Sequence, residues 1–239
     1  MCAHSTDQED RDERRALQSM APAITLAATA ARERSELSAE TAPMSFDEYR
    51  FLVVSDLHRV TGHVDRRTLL RHILAGGPYR YSFWMRTSRY AKSNALLRYT
   101  LHPVARLMLN HLTYKFGISI PPETSIGSGF YIGHFGGIFV NPKTTIGNNC
   151  NISQGVTLGR SNRGRNKGCP SLGDNVYIGP GAVITGNVRI GNDVAIGANC
   201  VVTKYIPDHS VVVGIPGRVI SQEGSVGYIN RTDYPGRRK

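Results

Sequence analysis

The chain has 239 residues, enough for one or two domains with a sizeable core. Its 29 basic and 18 acidic residues leave a net charge of +11, which suits nucleic acid, an anionic membrane or a polyanionic small molecule and by itself selects none of them. No stretch reaches the ~18 uninterrupted apolar residues of a membrane-spanning helix, and the cysteines (Cys2, Cys150, Cys169, Cys200) form no CxxC pair, which argues against a disulfide scaffold or a zinc finger and for a reducing, cytoplasmic setting.

Residues 1–44 carry 5 basic and 8 acidic residues and read as a disordered or loosely helical tail. The apolar run Met20–Ala31 is short and follows the mixed run DQEDRDERR, which is not the basic start of a secretory signal. From 45 to 116 the apolar spacing is helical. Ser45 with Glu48 makes a capping box, and Asp65 caps a second helix that closes at Gly76, Gly77 and Pro78. A third helix alternates aromatic and arginine residues over Tyr79–Arg89. A fourth is expected from Asn94 to Phe116, kinked or broken at Pro103. This helical domain holds 12 basic and 4 acidic residues.

From 117 to 220 an aliphatic residue recurs every six positions, at Ile126, Ile132, Ile146, Ile152, Leu158, Leu172, Ile178, Ile184, Ile190, Ile196 and Val202, and eight of these eleven are followed by glycine. Four positions after such residues stand Cys150, Val156, Val176, Ala182, Val188, Val194 and Cys200, all small and apolar. Residues two apart on a strand share a face, so both columns point inward in stacked coils of three short strands, with glycine expected at strained corners. That period is the signature of a parallel β-helix. Cys150 and Cys200 are core residues on this reading. The register breaks twice, after Ile132 and between Leu158 and Leu172, and each break predicts a protruding loop. Residues 221–239 read as a C-terminal tail.

The segments GHFGGI, QGVTLG and GIPGRVI, together with the hexads, resemble the hexapeptide-repeat acyltransferases, and the helical domain ahead of the coil resembles their serine acetyltransferase branch. The resemblance implies a mainly β fold, a left-handed parallel β-helix behind a small α-helical domain. It also implies a homotrimer, or a pair of trimers, with acetyl-CoA between adjacent coils and no metal. His134 matches the family's catalytic histidine, and a neutral imidazole can take the acceptor hydroxyl's proton during direct attack on the thioester. The loop opening at Gly159 is expected to offer an oxyanion donor. Pro180, Ala198, Thr203, Lys204 and Arg218 match positions that line acetyl-CoA, the two cations pairing with its phosphates.

At the acceptor end the chain departs from the family. Ser119 stands where the family has an orienting aspartate, Gly133 where an acid precedes the histidine, and Gly168 and Cys169 where an arginine and a histidine hold the amino-acid carboxylate. Glu123 or a backbone carbonyl is left to orient His134, and the loop from Arg160 carries Arg163, Arg165 and Lys167. These departures favour a saccharide or similar small hydroxyl acceptor over free serine. The alternatives are serine O-acetylation for cysteine biosynthesis and, in another class, a non-catalytic trimeric scaffold. No nucleic-acid-binding motif accompanies the basic charge. Tyr79–Arg89 invites a membrane-surface contact as the alternative to plain helix packing.

Overall fold

The computed structural model describes residues 43–236, so the tail expected over 1–44 lies outside it except for its last two positions. Helices α1 (Phe46–Thr61) and α2 (Arg66–Ala75) start at the expected caps. Ser45 Oγ accepts from the Glu48 amide at 3.1 Å, and Asp65 Oδ1 from the Thr68 amide at 2.8 Å. Helix α3 (Gly77–Ser93) begins directly after the Gly76 cap, with Pro78 in its first turn. The fourth helix is shorter than expected. Residues 94–100 form turns in which Asn94 Oδ1 accepts the Leu96 and Leu97 amides, so α4 (Leu101–Phe116) begins late. Pro103 then falls in the first turn, where its missing N–H costs nothing, and it neither kinks nor breaks the helix.

Three parallel sheets follow and form the sides of a prism. The first holds β1 (Ile118–Ser119), β4 (Ile138–Val140), β7 (Thr157–Gly159), β10 (Val183–Thr185) and β13 (Val201–Val202). The second holds β2 (Ser125–Ile126), β5 (Thr145–Ile146), β8 (Ser171–Leu172) and β11 (Arg189–Ile190). The third holds β3 (Tyr131–Ile132), β6 (Asn151–Ile152), β9 (Tyr177–Ile178), β12 (Ala195–Ile196) and β14 (Val211–Val213), and ends in the antiparallel β15 (Arg218–Ser221). This is the parallel β-helix expected from the hexads, with the left hand that the family resemblance implies. Both aliphatic columns fill its interior, every member at most 6% exposed, with Cys150 and Cys200 at 0%. Desolvation pushes the Cys150 thiol up to about 12.

Phe139 pairs with Thr157 and Val183 with Val201, a coil of 18 residues. Ile118 pairs with Ile138, two residues more, and Thr157 with Val183, eight more. The first break is therefore the expected two-residue insertion. The second is an eight-residue insertion on one corner, the protruding loop expected between Leu158 and Leu172.

The hexad glycines differ from expectation in their physical reason. Gly127, Gly147, Gly173 and Gly191 do not have positive φ; a Cβ on any of them would lie within 3 Å of the next coil's backbone. Close stacking selects them. The left-handed corners fall on other glycines, Gly129, Gly155 and Gly181, as expected of glycine at corners, and also on Asn149, Asn175, Asp193, Asn199 and His209, where side chains continue the ladder. Asn149 Nδ2 donates to Asn175 Oδ1, and Asn175 Nδ2 to Asp193 Oδ1, each at 2.8 Å.

The helices close the open edge of the first coil. The buried Arg86 donates to Asp56 in two bonds of 3.1 and 3.3 Å and to the Ile126 and Gly127 carbonyls at 2.7 and 2.6 Å. Asp56 accepts the Phe130 amide at 2.8 Å, and Ser55 Oγ the Gly129 amide at 2.9 Å. Arg59 donates to Gly129 O and Asn151 Oδ1, and the Tyr81 hydroxyl holds both the amide and the carbonyl of Ile120. The Tyr79–Arg89 aromatics are largely internal, with Tyr79 and Tyr81 at most 3% exposed, so this helix packs rather than presenting a membrane face.

The segment after β15 runs back along the prism. Ser225 Oγ donates to Asn175 O at 2.7 Å, Tyr228 stacks on Tyr177 at 4.3 Å, and the buried Tyr234 hydroxyl donates to Asn149 Oδ1 at 3.0 Å. Asp233 then meets His58 of α1 at 3.2 Å.

Arg86→Ala strands the Asp56 carboxylate and two carbonyls and is expected to cost about 3–5 kcal/mol in chemical denaturation. The double change Asp56→Leu with Arg86→Met can rescue an isolated buried pair. Here it is expected to stay destabilised by at least ~2 kcal/mol, because the carbonyls still lack donors.

Candidate active site

The two-residue insertion lies between β3 and β4, and it lifts His134 out of the wall into solvent. Among the described residues no side chain forms a hydrogen bond or ion pair with its ring. Its neighbour Phe135 stacks on Phe116 at the end of α4, centroids 5.4 Å apart, and Gly136 and Gly137 take φ of 112° and 65° to bring the chain back. The loop is therefore fixed on one side by an aromatic pair and left open at the histidine.

Ile132, Ile152, Ile178, Ile196 and Val212 are paired coil to coil. Two residues on from the first four come His134, Gln154, Pro180 and Ala198, which share one corner column. Arg218 lies opposite Val213 at the far end of the same corner. At ~4.8 Å per coil, the four steps from the His134 coil to β14 span about 19 Å. Pro180 is half-buried, while Ala198 and Arg218 are exposed. A corner column with an imidazole at one end and a guanidinium at the other has the length and end chemistry for a long, thin, anion-ended ligand such as acetyl-CoA. Gln154 is the residue that sequence reasoning missed. Its side-chain oxygen is buried without a partner among the described residues, one coil on from His134. The two-residue insertion hides that juxtaposition from a strict hexad count.

Gly159, Thr203, Lys204 and Arg160 gather at the next corner. Asn141, Gly159, Thr185 and Thr203 follow paired strand residues and form its column, with Lys204 and Arg160 exposed beside it. Within one chain Gly159 does not approach His134, because the first side of the prism lies between their corners. Residues 137–141 cross that side, about 13 Å of extended chain. The loop after Gly159 is closed by paired hydrogen bonds of 2.9 Å between Ser161 and Gly168. It is pinned where Asn166 Nδ2 donates to Thr203 O and Asn166 O accepts the Asn187 amide, both at 2.8 Å. Arg160, Arg163, Arg165 and Lys167 all project to solvent. Cys169 Sγ donates to Asn141 Oδ1 at 3.2 Å.

Glu123 is not free to orient His134. Its carboxylate pairs with Lys92 of α3 at 2.9 Å. Partial burial works to raise its pKa, and the Lys92 hydrogen bond and charge, with Arg106, hold it below the usual carboxylate range. Ser119 lines a cleft of about 570 Å³ under α4, with Tyr81, Arg106, Asn110, Thr113 and Pro121.

Residues 170–204 match the family model described as bacterial transferase hexapeptide (six repeats). The solved soybean serine acetyltransferase, as apoenzyme and complexed with serine, is 31% and 30% identical with a TM-score of 0.57 in each case, covering 72% of this chain and 69% of that one. The chain belongs to the hexapeptide-repeat acyltransferases. Within them it is serine acetyltransferase-like. It is 44% identical over 122 residues to the serine acetyltransferase of Staphylococcus epidermidis, and spans 51% of its own length and 57% of that relative. A serine acetyltransferase solved in complex with CoA is 29% identical, with a TM-score of 0.56 and coverage of 73% of this chain and 71% of that one. Among the described residues of this member of the acyltransferases, no helix is long and apolar enough to cross a membrane.

Three outcomes check the local geometry. Of the three described cysteines, Cys169 is expected to be alkylated by iodoacetamide well before Cys150 and Cys200, read by peptide mass spectrometry. Gly133→Asp, which restores the family's acid, is expected to fold with an unchanged melting temperature, since the nearest atom to its added Cβ is 3.6 Å away. Gly181→Ala, with φ of 71° and a contact of 2.2 Å to Asn199 Oδ1, is expected to lower it.

Proposed function

We propose that the protein is an acetyl-CoA-dependent O-acetyltransferase in which His134 is the general base. The observation that carries this reading is the placement of His134: exposed, unpaired among the described residues, and standing at the head of the corner column that continues through Gln154, Pro180 and Ala198 to Arg218. His134 takes the proton of the acceptor hydroxyl as its oxygen bonds to the acetyl carbonyl carbon. The carbon–sulfur bond then breaks, and the departing thiolate is protonated. Pro180 and Ala198 leave room for the donor's arm, and Arg218 meets its anionic end.

Gly159, Thr203 and Lys204 lie on the other corner, so we propose that they serve the site of a neighbouring copy, in a homotrimer or a pair of trimers. One corner of each protomer then faces the complementary corner of the next. A backbone N–H near Gly159 is the proposed oxyanion donor in that arrangement.

For the acceptor, the names of the relatives, and the soybean complex with serine, support L-serine more directly than any other hydroxyl. A second reading, a saccharide or similar small hydroxyl acceptor, rests on specific residues. Ser119 and Gly133 lack the expected acids, and Cys169, in place of a carboxylate-binding histidine, donates a hydrogen bond to Asn141 Oδ1. The experiment is a screen that follows free CoA thiol with L-serine, neutral sugars, nucleotide sugars and amino alcohols. Turnover of serine at ordinary rates supports the first reading and excludes the second as the main activity. His134→Ala is expected to lower the rate about 10²–10⁴-fold with the best acceptor while leaving the assembly intact. Full activity in that variant rejects the assignment of the base.

A further inference from the structure

Helix α4 has an unpartnered outer face. Ala105, Leu109 and Leu112 pack inward, while Val104, Leu107 and Tyr114 are 54%, 73% and 82% exposed. At 100° per residue, Val104, Leu107, His111 and Tyr114 fall within about a quarter-turn of the helix surface, opposite the packed side. Leu96 and Tyr99, in the turns just before the helix, are 74% and 80% exposed. The exposed Arg98, Arg106 and Lys115 flank this stripe.

Its electrostatics are one-signed. Between Asp65 and Glu123 the chain has no acidic residue and ten basic ones. Arg86 and Arg89 are engaged by backbone carbonyls of the first coil. Lys92 pairs with Glu123. Arg98, Arg106 and Lys115 form no ion pair with a described residue; Lys115 lies in the last turn of α4, while Arg106 and Arg98 flank its start, where, after partial desolvation, they help to hold His102 below its usual range.

We propose that this face of α4 docks the protein on an anionic lipid bilayer. Apolar side chains with tyrosines at both ends and cations alongside have the composition of an interfacial helix, its apolar stripe in the headgroup–acyl boundary and its cations against lipid phosphates. Charge decides between occupants. A two-fold contact with a second copy would set Arg98, Arg106 and Lys115 against their own likes, with only Glu123, already paired with Lys92, as a carboxylate near them. Nucleic acid would leave the aliphatic stripe unused. The face contains none of the residues proposed for acetyl transfer, so the inference stands apart from that reading.

The test is sedimentation of the full chain with vesicles of phosphatidylcholine alone or mixed with phosphatidylglycerol. Retention is expected on the mixed vesicles, weakening as salt rises, with little on the neutral ones. Leu107→Ser with Tyr114→Ser is expected to weaken binding about tenfold or more, and Arg106→Ala with Lys115→Ala by a similar factor. Both pairs should leave the melting temperature and acetyl-CoA thiol release unchanged. Arg163→Ser with Arg165→Ser, in the distant basic loop, is expected to bind as the parent does. The proposal is overturned by equal retention on neutral and mixed vesicles. It is also overturned by undiminished binding of the Leu107/Tyr114 variant, or by that variant having a smaller oligomer in sedimentation velocity, which would assign the face to contacts between copies.

Discussion

The first coil of a parallel stack has no neighbour below it, and every backbone group on that side must find a partner or remain buried and unpaired at a cost of roughly 1–3 kcal/mol each. In this protein α1 and α3 supply the partners. Arg86, Arg59 and Arg89 donate to carbonyls, Asp56 and Ser55 accept amides, and Tyr81 does both for Ile120. The helical domain is thus a lid whose underside is shaped to a strand edge. Part of its basic excess is explained without any external ligand, because carbonyls call for donors that carry a charge deep into the joint. Pairing with Asp56 makes Arg86 tolerable there, and Asp56 in turn is held by the Phe130 amide.

The coil was legible because its constraint is periodic: a narrow prism admits one aliphatic and one small residue per side, and both columns appear in the sequence at fixed spacing. Caps at Ser45 and Asp65 were legible for a similar reason, being local. The joint was not. Nothing distinguishes Asp56 or Arg86 from ordinary helix-surface charges until the helix is laid against the coil. The returning segment with Tyr228 and Tyr234 was equally hidden, since its partners are residues such as Tyr177 and Asn149, far away in sequence. The hexad glycines were found for the wrong reason. Their Cβ-free positions answer to the coil above, and the left-handed turns went to other glycines such as Gly129 and Gly181 and to asparagine and aspartate, whose side chains extend the hydrogen-bonded ladder.

The candidate site shows the same division. His134, Pro180, Ala198 and Arg218, matched one by one through family resemblance, fall on a single corner. Gly159, Thr203 and Lys204 fall on the next, so spacing along the chain told which residues recur but not which corner each occupies. Glu123 shows the limit most plainly. Its proximity in sequence to the first coil suggested a partner for His134, and Lys92 from α3 takes it instead.

The eight-residue loop between Gly159 and Gly168 leaves and rejoins the prism without disturbing it. Thr157 pairs directly with Val183 before the excursion, and Ser171 with Thr145 after it, while the two ends of the loop are tied by Ser161 and Gly168. Apart from the Asn166 side chain, which donates to Thr203 O, its sequence is therefore uncoupled from the packing that keeps the solenoid standing. A scaffold organised this way can diversify at one corner by exchanging a whole cassette, trading one chemical preference for another, while the wall behind it stays unaltered.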